Sequence, residues 1–193
     1  MITRTPLAIA AALALLTIPA IAATPAASAP GWTVDKSASQ LGFVGIGDGS
    51  EFQGSFGSWD ADIHFNPAKL DASSATVTID MGSAATGDPS RDDPLTDPNW
   101  FSTSVFPSAT FTTTAITSTG ANAYVADGTL TIKGVSQAVK LPFTLTINGD
   151  HADMAGSLTL DRTLWGIGKG SWQDKSVDPN VTVTVKISAT KAG

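Results

Sequence analysis

Val139-Lys140-Leu141-Pro142-Phe143-Thr144-Leu145-Thr146-Ile147 places an apolar side chain at every second position. Successive side chains of an extended strand point to opposite faces, so Val139, Leu141, Phe143, Leu145 and Ile147 share one face. Lys140, Thr144 and Thr146 share the other. A helix would scatter the apolar set around its circumference. Asn148-Gly149-Asp150 follows, and an Asn-Gly pair readily adopts the positive φ values of a tight hairpin. The stretch reads as a half-buried strand entering a turn.

The same period recurs on both sides. Val77, Ile79 and Met81 alternate with Thr76, Thr78 and Asp80; Val181, Val183, Val185 and Ile187 alternate with Thr182, Thr184 and Lys186. Shorter pairs are Leu41 with Phe43, Ile63 with Phe65, Leu130 with Ile132, and Leu158 with Leu160. Threonine suits the outer face because its branched Cβ fits the pleat. Turn signals at Gly47-Asp48-Gly49, Gly57-Ser58, Asn66-Pro67 and Ser118-Thr119-Gly120 separate the runs. Residues 87–107 break the pattern and carry Pro89, Pro94, Pro98 and Pro107. They read as one long loop with one or two short helical turns, because proline interrupts a longer helix. Many antiparallel strands with one apolar face must close on themselves or form a sandwich. A closed antiparallel β-barrel is the expected all-β fold. Periodicity does not say whether its interior is filled or hollow.

The N-terminus carries Arg4, an apolar run from Leu7 to Ile18, Pro19, and then Ala20, Ala22 and Ala23. This is the layout of a cleavable secretory signal, and the run is too short for a membrane-spanning helix. The expected organisation is a signal peptide over 1–22, a flexible lead-in over 23–30 and one domain over 31–193, exported to the periplasm. The chain has no cysteine, which excludes disulfides, thiolate metal sites and cysteine nucleophiles. Lys and Arg number 11 against 17 Asp and Glu, for a net charge of −6. An acidic chain without a basic stripe is a poor partner for nucleic acid.

Catalytic groups are sparse. His64 and His151 are the two histidines, and each reads as a surface residue without a carboxylate at ligand spacing. No Gly-x-Ser-x-Gly elbow occurs. Asp88, Asp92, Asp93 and Asp97 do not follow calcium-loop spacing and read as residues that begin turns. Neither a catalytic nor a metal site is expected. The aromatics, Trp172 among them, spread over many strands, but Trp100, Phe101 and Phe106 fall in the Pro- and Asp-rich loop. Covering one end of a barrel would shield them from water.

Taken in order, these motifs resemble the YceI-like family of lipid- and polyisoprenoid-binding proteins. The similarity begins at Trp32-x-Val34-Asp35 and Ser39–Phe43, and passes through Gly54-x-Phe56, Trp59, Ile63, Phe65 and Asn66-Pro67. It continues with Arg91-Asp92, Trp100-Phe101 and Phe106-Pro107-x-Ala109-Thr110-Phe111. Asp127-Gly128-x-Leu130-Thr131-Ile132-x-Gly134-Val135 is its most specific part, and Arg162-Thr163 leading to Gly166-Ile167-Gly168 closes it. Pro94 stands about where the family often has a histidine, which leaves head-group preference open.

The resemblance implies a lipocalin-like barrel with an elongated apolar cavity. It further implies a bound isoprenoid lipid, such as a quinone or polyprenyl chain, and a membrane protein that donates or receives it. The expected cavity wall is Phe43, Phe65, Ile79, Met81 and Phe111 together with Leu130, Leu141, Phe143, Leu158 and Leu160. Arg91, Trp100, Phe101 and Phe106 are expected at its mouth, with Arg91 positioning the polar end. Two other readings stand beside the carrier. One is an enzyme acting on a lipid-like substrate, for which His64, Asp35 and Arg91 are the first residues to test. The other is a solid-core barrel used for protein contacts.

Overall fold

The computed structural model describes residues 29–170 and 177–193. The expected signal peptide over 1–22, residues 23–28 of the expected lead-in and Trp172 lie outside the described residues. The chain meanders through β1 (Gly31–Val34), β2 (Gln40–Gly47), β3 (Ser50–Phe56), β4 (Trp59–His64), β5 (Ser74–Asp80) and β6 (Ala84–Ala85). A short helix, α1 (Pro89–Leu95), precedes β7 (Ser108–Gly120), β8 (Ala123–Ile132), β9 (Val135–Asn148), β10 (His151–Asp161) and β11 (Asn180–Lys191).

Six of these segments combine into three interrupted staves. β1 and β2 both pair with β11; β4 pairs with β5, while β3 pairs with β6. β1 meets β4, and β2 meets β3. β5 continues through β7, β8, β9 and β10 to β11, always antiparallel. The result is a closed barrel of eight antiparallel staves. Gly57-Ser58 is therefore a kink within one stave rather than a turn between two. Phe56 and Trp59 both face inward across it, at an odd spacing, and the neighbouring stave needs five residue steps (Ile79 to Ala84) to span the three from Phe56 to Trp59. The turn expected at Ser118–Gly120 lies two residues later, where Asn122 takes a φ of 60° and β7 runs on through Gly120.

Local chemistry sets the hairpins. Lys133 and Gly134 have φ of 51° and 72°, the paired positive values that match the twist of the strands they join. The expected helical turn in 87–107 is α1, which Pro94 limits to seven residues. Ala29 and Pro30 join the barrel instead of forming a flexible lead-in. Ala29 is buried and its amide donates to the Ala72 carbonyl; the Pro30 carbonyl accepts from the Phe65 amide.

The ladder between β9 and β10 is incomplete. β10 pairs with β11 along its whole length but with β9 only from His151↔Asn148 to Gly156↔Phe143. Pro142 is the first residue past that point. It brings no N–H to a ladder, and proline is confined to such edges. Beyond it, the Gln137 side-chain amide donates to the Leu164 carbonyl at 3.3 Å and bridges the seam to the segment after β10.

Curvature depends on glycines under aromatic rings. A Cβ on Gly54 would lie 2.3 Å from Phe43 Cζ, and one on Gly128 would lie 2.5 Å from Phe111 Cε2 and 2.7 Å from the Thr112 carbonyl oxygen. Each ring covers backbone that a larger residue would push away. Gly128→Ala is expected to destabilise the barrel by about 1–3 kcal/mol through this overpacking. Gly120→Ala, whose new Cβ would approach nothing closer than Ala123 Cβ at 3.8 Å, should stay within about 0.5 kcal/mol of the parent. Urea midpoints of the two variants check the contrast.

Candidate functional site

A cavity of about 220 Å³ runs inside the barrel. It is hollow for a reason visible in the wall: Ala61, Ala75, Ala109, Ala126, Ala152 and Ala189 occupy inward positions. Eight staves enclose space that large side chains could fill, and alanines leave it open. The surrounding leucines accordingly keep a little surface. Leu41, Leu130, Leu141 and Leu145 remain 6–8% exposed, and no large side chain among the described residues is fully buried. The solid-core reading is not what the fold shows.

Most of the expected wall is present. Phe65, Ile79 and Met81 line the cavity on one side, Phe111 and Leu130 on the next two staves. Leu141 and Phe143 of β9, with Leu158 and Leu160 of β10, complete the set. Phe43 is the exception. Its side chain is buried, but the ring lies over Gly54 and against Phe56, with centroids 5.3 Å apart, so it does not reach the cavity. The sequence reading omitted Trp32, Leu41, Trp59, Val183, Val185 and Ile187, which also line it. The β11 members carried a usable signal, since their alternation was already plain.

The wall is almost wholly apolar. Among the described residues no Asp, Glu, Lys, Arg or His lines it, and only Ser74 and Thr113 bring hydroxyl groups. The Thr113 hydroxyl oxygen accepts from the Ala75 amide at 2.9 Å, and Trp32 Nε1 donates to the Phe65 carbonyl at 3.0 Å. Towards the end that holds the N-terminal strand, rings narrow the interior. Phe65 meets Tyr124 edge-on at 5.4 Å, and Tyr124 stacks on Phe143 at 5.3 Å.

At the opposite end the two long loops form a plug. Trp100 packs with Leu130, Trp165 and Ile167 in a buried cluster, and Trp165 Nε1 donates to the Leu130 carbonyl at 3.2 Å. The Asn99 carbonyl accepts from the amides of Gly168 and Lys169, joining the loop before β7 to the one after β10. Lys133 reaches from its hairpin to the carbonyls of Pro98 and Gly166; burial lowers its pKa. Arg162 is the centre of this end. Its guanidinium is buried, donates to the carbonyls of Ile167, Val177 and Asp178, and lies 5.5 Å from the Trp100 ring centre. Asp161 caps the turn beside it; bonds from the Thr163 hydroxyl and amide hold its carboxyl below the ordinary 3.8.

The four residues expected at a mouth are placed differently. Trp100 and Phe101 belong to the plug, with Phe101 also packed towards Phe56. Phe106 lies against Gly134 at the β8–β9 turn. Arg91 pairs with Asp88 at 3.1 Å and sits over the Phe52 ring. None of the four lines the cavity. The physical reason is that the loops bond to each other, which makes this end a cover rather than an opening.

Asp35 accepts from the Ser37 amide and hydroxyl, which lowers its pKa; it too is outside the cavity. His64 and His151 do have carboxylate neighbours, contrary to the sequence reading. Strand geometry puts Asp62 and Asp153 two residues away on the same face, each 3.3 Å from the ring nitrogen. Among the described residues no group of three metal-ligating side chains converges. Asp88 and Asp92 are engaged in the turns around α1, where they accept from Ser90 and from Thr86 and Gly87.

A closed barrel of eight antiparallel staves around an apolar tunnel is the architecture of small binding proteins for greasy ligands. The YceI-like domain matches residues 32–189, and the chain belongs to that family. The crystal structure of Burkholderia cenocepacia BcnA superposes with a TM-score of 0.78 at 34% identity, over 81% of this chain and 99% of that one. A UPF0312 protein of Pseudomonas syringae pv. tomato is 28% identical over 155 residues, 77% of this chain and 78% of that protein. The polyisoprenoid binding domain from Saccharophagus degradans shares the fold, with a TM-score of 0.64 at 15% identity over 84% of this chain and 99% of that one.

Arg162→Met should orphan several loop carbonyls at once. The expected loss is about 2–4 kcal/mol in urea unfolding, and lysine should restore little of it because it lacks the guanidinium fork. Faster hydrogen exchange at the Gly168 amide, with the β8–β9 ladder unchanged, would locate the loss in the plug.

Proposed function

We propose that this protein is a carrier that takes up an isoprenoid lipid, a quinone or a polyprenyl chain, in the barrel tunnel. The observation that carries the reading is a tunnel wall without a single titratable side chain among the described residues. Burial of each CH₂ is worth about 0.8 kcal/mol, so one five-carbon isoprene unit gains roughly 3 kcal/mol before chain ordering is subtracted. Several units suffice for stable retention with no contribution from the head group. A relative of the same fold is described as polyisoprenoid binding, which agrees with this wall. The absence of acid–base groups from the tunnel favours carriage over catalysis. The apolar run before Pro19 supports export, and the periplasm is the proposed site of action. A membrane protein then donates or receives the lipid.

Solvent extraction of protein purified from its native compartment without detergent, followed by mass spectrometry, tests the reading. A stoichiometric quinone or polyprenyl species is expected. Ala126→Phe, which fills space beside a 4% exposed alanine, should retain the fold and lose most of that lipid. A lipid-free extract from folded parent protein would overturn the carrier.

A further inference from the structure

The barrel wall is broken between its first two staves. β1 and β4 pair at Gly31↔His64 and Trp32↔Ile63, whereas β2 and β3 pair only from Gly42↔Ser55 onward. Between these ladders lies a pocket of about 380 Å³. Its floor is Leu41, Phe56 and Trp59, and the same three side chains line the tunnel. Its rim is polar, made by Lys36, Ser39, Gln40, Ser55 and Ser58. The two spaces share these side chains, so the apolar tunnel borders directly on a set of hydrogen-bond donors.

The tunnel itself has little to offer a polar group. Its indole Trp32 Nε1 donates to the Phe65 carbonyl, and its Thr113 hydroxyl already accepts from Ala75. An amphiphile whose chain lies in the tunnel is disfavoured if its head is buried without partners. The wall pocket supplies those partners. Lys36 Nζ reaches across the break to within 2.5 Å of the Trp59 carbonyl oxygen and 3.2 Å of the Asp60 carboxylate. It also stands 3.8 Å from the Trp59 ring centre, directly above the floor.

Charge narrows the chemistry. Among the described residues Lys36 is the one cation on the rim, and Asp60 balances it. The hydrogen bond from Lys36 lowers the Asp60 pKa, so that carboxylate stays ionised. A phosphate would meet a neutralised lysine and a like charge beside it. The Ser39 hydroxyl is already bonded to Ser188, but a neutral head with carbonyl oxygens would meet the Lys36 ammonium, the Gln40 amide and the Ser55 and Ser58 hydroxyls without that repulsion.

We propose that the break between the first two staves is a head-group site for the uncharged, carbonyl-bearing end of the tunnel's ligand, with Lys36 as its principal donor. This rests on the reading of the tunnel as a lipid site.

Three probes with a common geranylgeranyl tail test it: a benzoquinone, a phosphate and the headless hydrocarbon, with affinities compared by equilibrium dialysis. The parent protein should hold the quinone at least about tenfold more tightly than the phosphate. Lys36→Met should weaken the quinone about tenfold and leave the hydrocarbon within about twofold, while Lys36→Gln, which keeps a donor, recovers part of the loss. The quinone should also quench tryptophan emission in the parent more than in Trp59→Phe. Equal weakening of quinone and hydrocarbon, no weakening of the quinone, or tightest binding of the phosphate would overturn the head-group site while leaving the tunnel's role intact. Failure of all three probes to bind the parent would overturn both.

Discussion

The structure depends on β11 being paired along both edges. One edge meets β10 at every position from Asn180 to Thr190; the other meets β2 over Thr182–Lys186 and β1 over Ala189–Lys191. Those pairs turn a meandering sheet into a ring, leaving inward side chains only each other or a ligand to contact. Closure turns the inner face into a shared apolar interior, and the choice of inner residues then decides its contents. Small residues at six inward positions leave a tunnel where larger ones would build a core.

Closure also imposes curvature, and the aromatic residues divide between two tasks because of it. Phe111 covers Gly128 and still borders the tunnel, whereas Phe43 covers Gly54 and is withdrawn from it. Both are inward phenylalanines on alternating strands. What separates them is the neighbour: Phe43 has the Phe56 ring beside it and fills the corner where β2 and β3 meet. The buried guanidinium of Arg162 has a comparable structural role at the loop-rich end, holding the carbonyls of Ile167, Gly168, Val177 and Asp178.

Period-two alternation made the barrel legible, since each long run of Val, Leu, Ile and Thr proved to be a stave. It also located nine of the ten expected wall residues, because the apolar parity of a strand is its inward parity. The alternation could not show that residues 35–39 and 57–58 interrupt single staves: Gly57-Ser58 carries the composition of a turn between strands, and only the pairing of β3 and β4 with one neighbouring stave makes it a kink. Inward alanines were equally silent, since a small apolar residue does not stand out in a hydrophobic stripe. The loop residues failed for another reason. The position of Trp100 follows from bonds between loops distant in sequence, such as Asn99 with Gly168 and Lys169, whereas Arg91 is held locally by Asp88 and over the Phe52 ring. Pro142 could have been read more closely, because a proline inside an alternating strand marks an edge.

The pairing of β1 with the last residues of β11 has a kinetic consequence. Val34 meets Ala189 and Trp32 meets Lys191, so the contacts that shut the ring join the two extremes of the domain. No partial chain can form them, and the loop-closure entropy falls on a step that waits for the final strand. Folding of such a topology belongs to the slow, non-local regime of milliseconds to seconds. Until that strand docks, the future tunnel is an open apolar sheet with two bare edges, and the last dozen residues determine how long it stays that way.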